Sequence, residues 1–209
     1  MYPYVLGILW ALGRHVDRSE SPQEYFFLRG SRRPLEVVRR ELGLRAAVYT
    51  VTQEGRTQHC LKIRRPDVLD TLARMGWRPR WSEAREYPRL AGADHRDFIR
   101  AYVEIHGRAD AKTIRKRGRP PYTHPRLRVY GNRHFLGGLA DVLAAEAGIG
   151  VKAVQKAGNS VVSGILYFQS RSELTAILDY LYPPGIPGIE LFDREWYEAF
   201  RDVLRRFEK

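Results

Sequence analysis

The sequence predicts an α+β protein built from two copies of one unit carried in a single chain. Two observations predict it. Residues 34–76 and 139–181 match at a constant offset of 105, and an apolar, glycine-ended helix precedes each stretch, at 4–13 and 98–107. At the constant offset Glu41 meets Glu146, Gly43 meets Gly148 and Leu44 meets Ile149, while Leu61, Ile63, Leu69 and Leu72 meet Leu166, Phe168, Leu174 and Ile177. A repeat of this kind constrains the fold more than any single pattern in it.

The elements follow in chain order. YVLGILWALG, residues 4–13, is apolar throughout and ends on glycine. Val37, Val38, Leu42 and Leu44 form a short helical stripe that stops at Gly43. AAVYTVTQ alternates and is rich in β-formers, Glu54-Gly55 is a tight turn, and TQHCLKIR is the returning strand. Pro66 then sits in the first turn of a helix, where its missing N–H is harmless. Residues 78–92, rich in Pro and charge, link a first repeat (1–77) to a second (93–209). FIRAYVEIHG, residues 98–107, repeats the leading helix. Its offset is 94 rather than 105, so the second half carries eleven extra residues, placed in a basic insert at 108–126. The second hairpin is VKAVQKAGNSVVSGILYFQ, turning at Gly158-Asn159, and Ser170 or Ser172 caps the helix after it. Trp196, Phe200, Leu204 and Phe207 mark a closing amphipathic helix.

Composition narrows the partners. Lys and Arg number 36 against 24 Asp and Glu, a formal net charge of +12. That balance favours a polyanion, through release of counterions from phosphates. Cys60 is the only cysteine, which excludes an internal disulfide or a thiolate zinc site, and the six histidines lack tight ligand spacing. The apolar N-terminus has no basic n-region and is too short to span a bilayer, so an intracellular, cytoplasmic and nucleoid-associated protein is expected. The glycine-rich spots are turns and helix ends, so no organic cofactor is expected.

The two glycine-ended helices, each opening one of two similar halves, resemble the motif helices of the LAGLIDADG homing endonuclease family. Nine motif letters end on Gly13 and on Gly107, and the small third letter falls on Gly7 and on Ala101. The stretch ILDYLYPPGIPGIELFDREWYEAF is similar to the family's closing segment. The resemblance implies two αββαββα units forming a saddle whose sheets lie along the major groove of double-stranded DNA. It also implies that the motif helices pack side by side, with Gly7, Ala11, Gly13, Ala101 and Gly107 permitting close approach. One chain then supplies both motif helices, and a monomer is expected.

A basic two-stranded ribbon fits the major groove, with alternate side chains reaching base edges. Arg45, Thr50, Gln53, Arg56, Gln58, Lys62 and Arg64 form one expected polar face, and Lys152, Gln155, Lys156, Asn159 and Ser163 the other. Arg14 and Arg108 follow the motif glycines and are expected on the phosphate backbone. Lys112, Arg115, Lys116, Arg117 and Arg119 lie in the basic insert, where Arg117-Gly118-Arg119-Pro120 resembles the core of an AT-hook. Tyr25, Phe26, Phe27, Tyr49, Tyr167 and Phe168 are assigned to the core.

In cutting members of the family the eighth motif letter is an acid, and the pair of acids holds divalent metals. Here those positions are Leu12 and His106. Mg²⁺ prefers oxygen ligands, so cleavage is expected to be impaired. Asp17 and Asp110 follow the two motif glycines in similar runs, GRHVD and GRAD, and stand as substitutes or as turn formers; Glu104 is a further, weaker substitute. Three functions are open at this point: a non-cleaving DNA-binding protein, a Mg²⁺-dependent site-specific endonuclease with relocated acids, and an RNA-binding or splicing-assisting protein.

Overall fold

The structure, a computed structural model, describes residues 1–118, 120–185 and 193–207. Arg119, at the expected AT-hook, and residues 186–192 of the closing segment lie outside the described residues. Contacts divide the chain into two units: Met1–Arg80 with Pro88–Tyr102, and Trp81–Tyr87 with Val103–Lys209. Among the described residues there are seven helices and two four-stranded antiparallel sheets.

The first unit opens with α1 (Pro3–Leu12), then β1 (Gly13–Val16), β2 (Tyr25–Gly30), α2 (Arg32–Glu41), β3 (Tyr49–Gln53), β4 (Arg56–Ile63) and α3 (Pro66–Arg74). Its sheet order is β1-β2-β4-β3. Prolines open α1 and α3 in their first turns. Gly43 leaves α2 with φ +60°, and its N–H reaches the Arg40 carbonyl at 3.0 Å. Glu54 and Gly55 both have positive φ, 51° and 71°, as a two-residue turn between twisted strands requires. Phe26, Leu28, Leu61 and Ile63 are buried from the sheet, Leu35 and Val38 from α2, and Val68 and Leu72 from α3.

The second unit repeats this order. α4 (Asp94–His106) leads into β5 (Gly107–Ile114), β6 (Tyr122–Asn132), α5 (Arg133–Ala147), β7 (Gln155–Lys156), β8 (Ser163–Phe168), α6 (Arg171–Leu181) and α7 (Arg194–Arg205). The sheet order β5-β6-β8-β7 is the first order again. Asn132 caps α5 by accepting from the His134 and Phe135 N–H groups, and Ser170 caps α6 through Glu173 N–H at 3.2 Å. Leu127, Val129, Leu166 and Phe168 are buried, as are Phe135, Leu139 and Leu143 of α5, and Leu174, Ile177 and Leu181 of α6. Residues 81–87 pack here: Asn132 donates to Ser82 O at 2.7 Å, and the Tyr87 ring stacks on Phe135 at 5.7 Å.

Two features differ from the sequence reading. The segment 108–126 is largely ladder, because β5 and β6 run through it; β5 and β6 have 8 and 11 residues where β1 and β2 have 4 and 6. The rest of the extra length lies in α5, of 15 residues against 10 in α2. The second hairpin is shorter than its pattern, since β7 pairs through Gln155 and Lys156 alone. Ala, Lys, Gln and Gly around it are poor strand formers.

Candidate nucleic-acid interface

Cross-strand partners share a face of a sheet, so the register decides which side chains stand together. In the first sheet Phe26, Leu28, Leu61 and Ile63 point to the helices. The opposite, open face then carries Arg14 with Phe27 and Lys62 across three strands. Arg29 and Tyr49 flank Cys60 on the same face, and beyond them lie Gln58 with Val51 and Arg56 with Gln53. Cys60 is 1% exposed between its neighbours, and burial pushes its thiol pKa up.

The second sheet follows the same rule. Leu127, Val129, Leu166 and Phe168 face the helices. The open face carries Arg108 with Arg128 and Tyr167, Asp110 with Arg126, Lys112 with His124, Ile165 with Tyr130 and Gln155, and Tyr122 at the hairpin end. Arg14 and Arg108 thus occupy the same place, the residue after the motif glycine on the outer strand of each sheet. Both are exposed, and Arg14 pairs with Glu20.

Of the expected ribbon residues, the register brings Gln53, Arg56, Gln58 and Lys62 together on one open face, with Arg14, and Gln155 and Ser163 on the other, with Arg108 and Lys112. Arg45 and Arg64 lie just outside the strands, exposed. Thr50 and Lys156 fall on the helix side of their sheets, because the alternation from Val51 and Gln155 places them there. Lys152 precedes β7 and pairs with Glu173 of α6. Arg115, Lys116 and Arg117 are exposed in the turn between β5 and β6. Arg29, Arg126 and Arg128 are additional open-face cations. The alternation in Tyr25–Arg29 and in Arg126-Leu127-Arg128-Val129 signals them, but the aromatic content of the first run and the basic stretch bordering the second mask it. Phe26 and Phe168 are core, but Tyr25, Phe27, Tyr49 and Tyr167 stand on the open faces.

The motif helices end in close contact with their surroundings. Gly13 and Gly107 are extended, not left-handed; space explains them. A Cβ on Gly13 would lie 2.1 Å from the Phe26 ring, and one on Gly107 2.3 Å from the Val103 carbonyl oxygen. A Cβ on Gly7 would meet the Phe98 carbonyl oxygen at 2.5 Å and the Ala101 Cβ at 2.8 Å, so α1 and the first turns of α4 nearly touch. Ala11 is buried in α1. Trp196 of α7 donates from Nε1 to Gly107 O at 3.1 Å, and Glu104 accepts from the Tyr182 hydroxyl and the Asp193 N–H.

The residues at the acid positions do not fit a Mg²⁺ site. Leu12 has no donor atom and lies against Gly30; His106 offers a nitrogen to a metal that takes oxygen. Asp17 accepts from the Ser19 N–H and hydroxyl, which hold its carboxyl below the usual range. Asp110 is gripped by Arg126, which holds its carboxyl low, with Arg128 adding to the effect. Among the described residues there is no group of three or more His, Cys, Asp or Glu that could hold a metal ion.

Solved LAGLIDADG homing endonucleases are similar to this chain over nearly its whole length. I-LtrWI bound to target DNA superposes with a TM-score of 0.66 at 9% identity, covering 99% of this chain and 90% of that one. I-GzeII in complex with a DNA target gives 0.62 at 10% identity, over 100% and 91%. I-CpaMI bound to uncleaved DNA gives 0.61 at 12% identity, over 100% and 92%. No protein-family model and no curated protein matches the chain. The chain has the LAGLIDADG homing endonuclease fold, with both units in one polypeptide. Among the described residues no helix is long and apolar enough to cross a membrane.

Proposed function

We propose that this chain is a double-stranded DNA-binding protein that reads its site through the open faces of its two sheets and does not cut it. One observation carries the reading. In both sheets the register gathers arginine and lysine on the face without helices: Arg14, Arg29, Arg56 and Lys62 on one, Arg108, Lys112, Arg126 and Arg128 on the other. Cations at the sheet margins bind phosphates and set the position of the protein; Gln53 and Gln155 can pair with base edges. The net charge of +12 and the DNA bound in the solved structures of the same fold support it. The absence of cutting is inferred from the donor set at Leu12 and His106, and from the prior engagement of Asp17 and Asp110. The chain acts as a monomer, since it contains both units, and its place is inside the cell with the DNA.

Selection of bound duplexes from a randomised pool in the presence of Mg²⁺, sequencing intact and broken products, tests the reading. A single enriched site recovered intact is the expected outcome. The same site recovered with staggered breaks would make the chain a working endonuclease. No enrichment would remove sequence-specific duplex recognition. A second reading, RNA binding, is favoured by Tyr25, Phe27, Tyr49, Tyr130 and Tyr167 on the open faces, where aromatic rings can stack on unpaired bases. It is checked by repeating the selection with a single-stranded RNA pool.

A further inference from the structure

A cavity of about 500 Å³ lies at the end of β4, under the loop that joins α2 to β3. Its size is within the roughly 300–1,000 Å³ of pockets that enclose small organic molecules. Leu44, Ala46 and Ala47 give it an apolar wall, and the Tyr49 ring, 38% exposed, stands in it. Arg45, Lys62 and Arg64 supply the charge. Arg65 builds the frame: its guanidinium donates to Asp67 and to the Leu42 carbonyl. Among the described residues Arg45 and Arg64 have no acidic partner.

The internal repeat provides a control. The ladder puts Gln155 where the first unit has Tyr49, since they pair with Ile165 and Cys60, which the offset of 105 relates; at that offset Lys62, Arg45 and Arg64 become Tyr167, Gly150 and Gln169. The second unit keeps the same sheet order without them, so the fold does not require this set.

We propose that the cavity binds one unstacked nucleotide. The base lies against Tyr49 and the apolar loop, as aromatic platforms hold bases irrespective of sequence. The phosphate is held by Arg45 and Arg64, whose planar donor forks match its oxygens, with Lys62 adding charge. The nucleotide is either free or an unpaired residue of a strand lying on the open face, which Tyr49 and Lys62 join to the cavity. The strand source rests on the nucleic-acid reading above; the free nucleotide does not.

The full-length protein is titrated with AMP, adenosine and inorganic phosphate, and with labelled duplexes that are either perfect or carry one bulged adenosine. Each titration is repeated on Ala46→Trp, which fills the cavity from an exposed position and removes no cation. AMP bound more tightly than adenosine or phosphate, and weakened about tenfold or more in Ala46→Trp, establishes the free source. A preference for the bulged duplex that Ala46→Trp abolishes establishes the strand source. If AMP does not bind and no bulge preference exists, or if either persists unchanged in Ala46→Trp, the proposal is overturned. The perfect duplex reads the function proposed above independently: its failure to bind while AMP binds would sink that reading and leave the cavity standing.

Discussion

Single atoms set several constraints here. Gly7 has no room for a side chain, because its missing Cβ would fall 2.5 Å from the Phe98 carbonyl oxygen and 2.8 Å from the Ala101 Cβ. Gly7→Val is expected to destabilise the protein by about 1–3 kcal/mol, the range for overfilling a packed contact, read by urea denaturation. Asp110 acts against the basic face around it. Arg126, first, and Arg128 hold its carboxyl below the usual range, so its pairing contributes stability above the ordinary carboxylate pKa. That contribution is lost as pH falls through the lowered value. Asp110→Asn removes one negative charge among four cations of the open face. It is expected to strengthen duplex binding and steepen the salt dependence by about one unit of log–log slope, measured by anisotropy across a salt series. Weaker binding, or loss of a cleavage activity, would mean that the carboxylate is needed for itself. The crowding of Gly7 against Ala101 agrees with the small residues the sequence places there, whereas Gly13 and Gly107 are crowded by Phe26 and by Val103. The partners of Asp110 were not legible in the sequence: Arg126 and Arg128 are 16 and 18 residues away, brought opposite by a ladder whose register no local pattern specifies.

At the scale of elements, the β3–β4 and β8 strands, α3, α6 and the Gly43 stop were readable, since alternation, proline and glycine act locally. The first hairpin of each unit was harder. Gly13–Val16 is four residues long, and its pattern does not alternate apolar and polar cleanly. In the second unit the basic run obscured two strands, because Lys and Arg are weak strand formers unless a partner strand fixes them. The outer part of that hairpin is exposed on both faces, from Ala111 to Thr113 and at Tyr122 and Thr123. Its cations therefore serve no core. Replacing Lys112, Arg115, Lys116, Arg117 and Arg119 together by Ala is expected to lower the salt slope of duplex binding by up to about five. Thermal melting should be unchanged, because those of the five that are described are exposed. An unchanged slope would remove the hairpin from the interface.

At the scale of the molecule, the repeat foretold two like units, and the shared sheet order is its physical counterpart. The division of the chain between them was not legible, because it depends on which packing partners residues 81–102 find. The path passes from one unit to the other at Arg80, returns at Pro88, and leaves again within α4 after Tyr102. A cut before residue 81 leaves the first unit without Pro88–Tyr102. A cut after residue 102 leaves the second without Trp81–Tyr87 and severs a helix. Fragment 103–209, which lacks Trp81–Tyr87, is expected to show no cooperative melting alone and to regain it when mixed with fragment 1–102, followed by circular dichroism. A sharp transition for 103–209 alone would show that this half is self-sufficient. Two genes could therefore not simply inherit one half each. Whatever duplication produced the repeat, the exchange of loop and helix segments between residues 80 and 103 makes the fusion hard to undo.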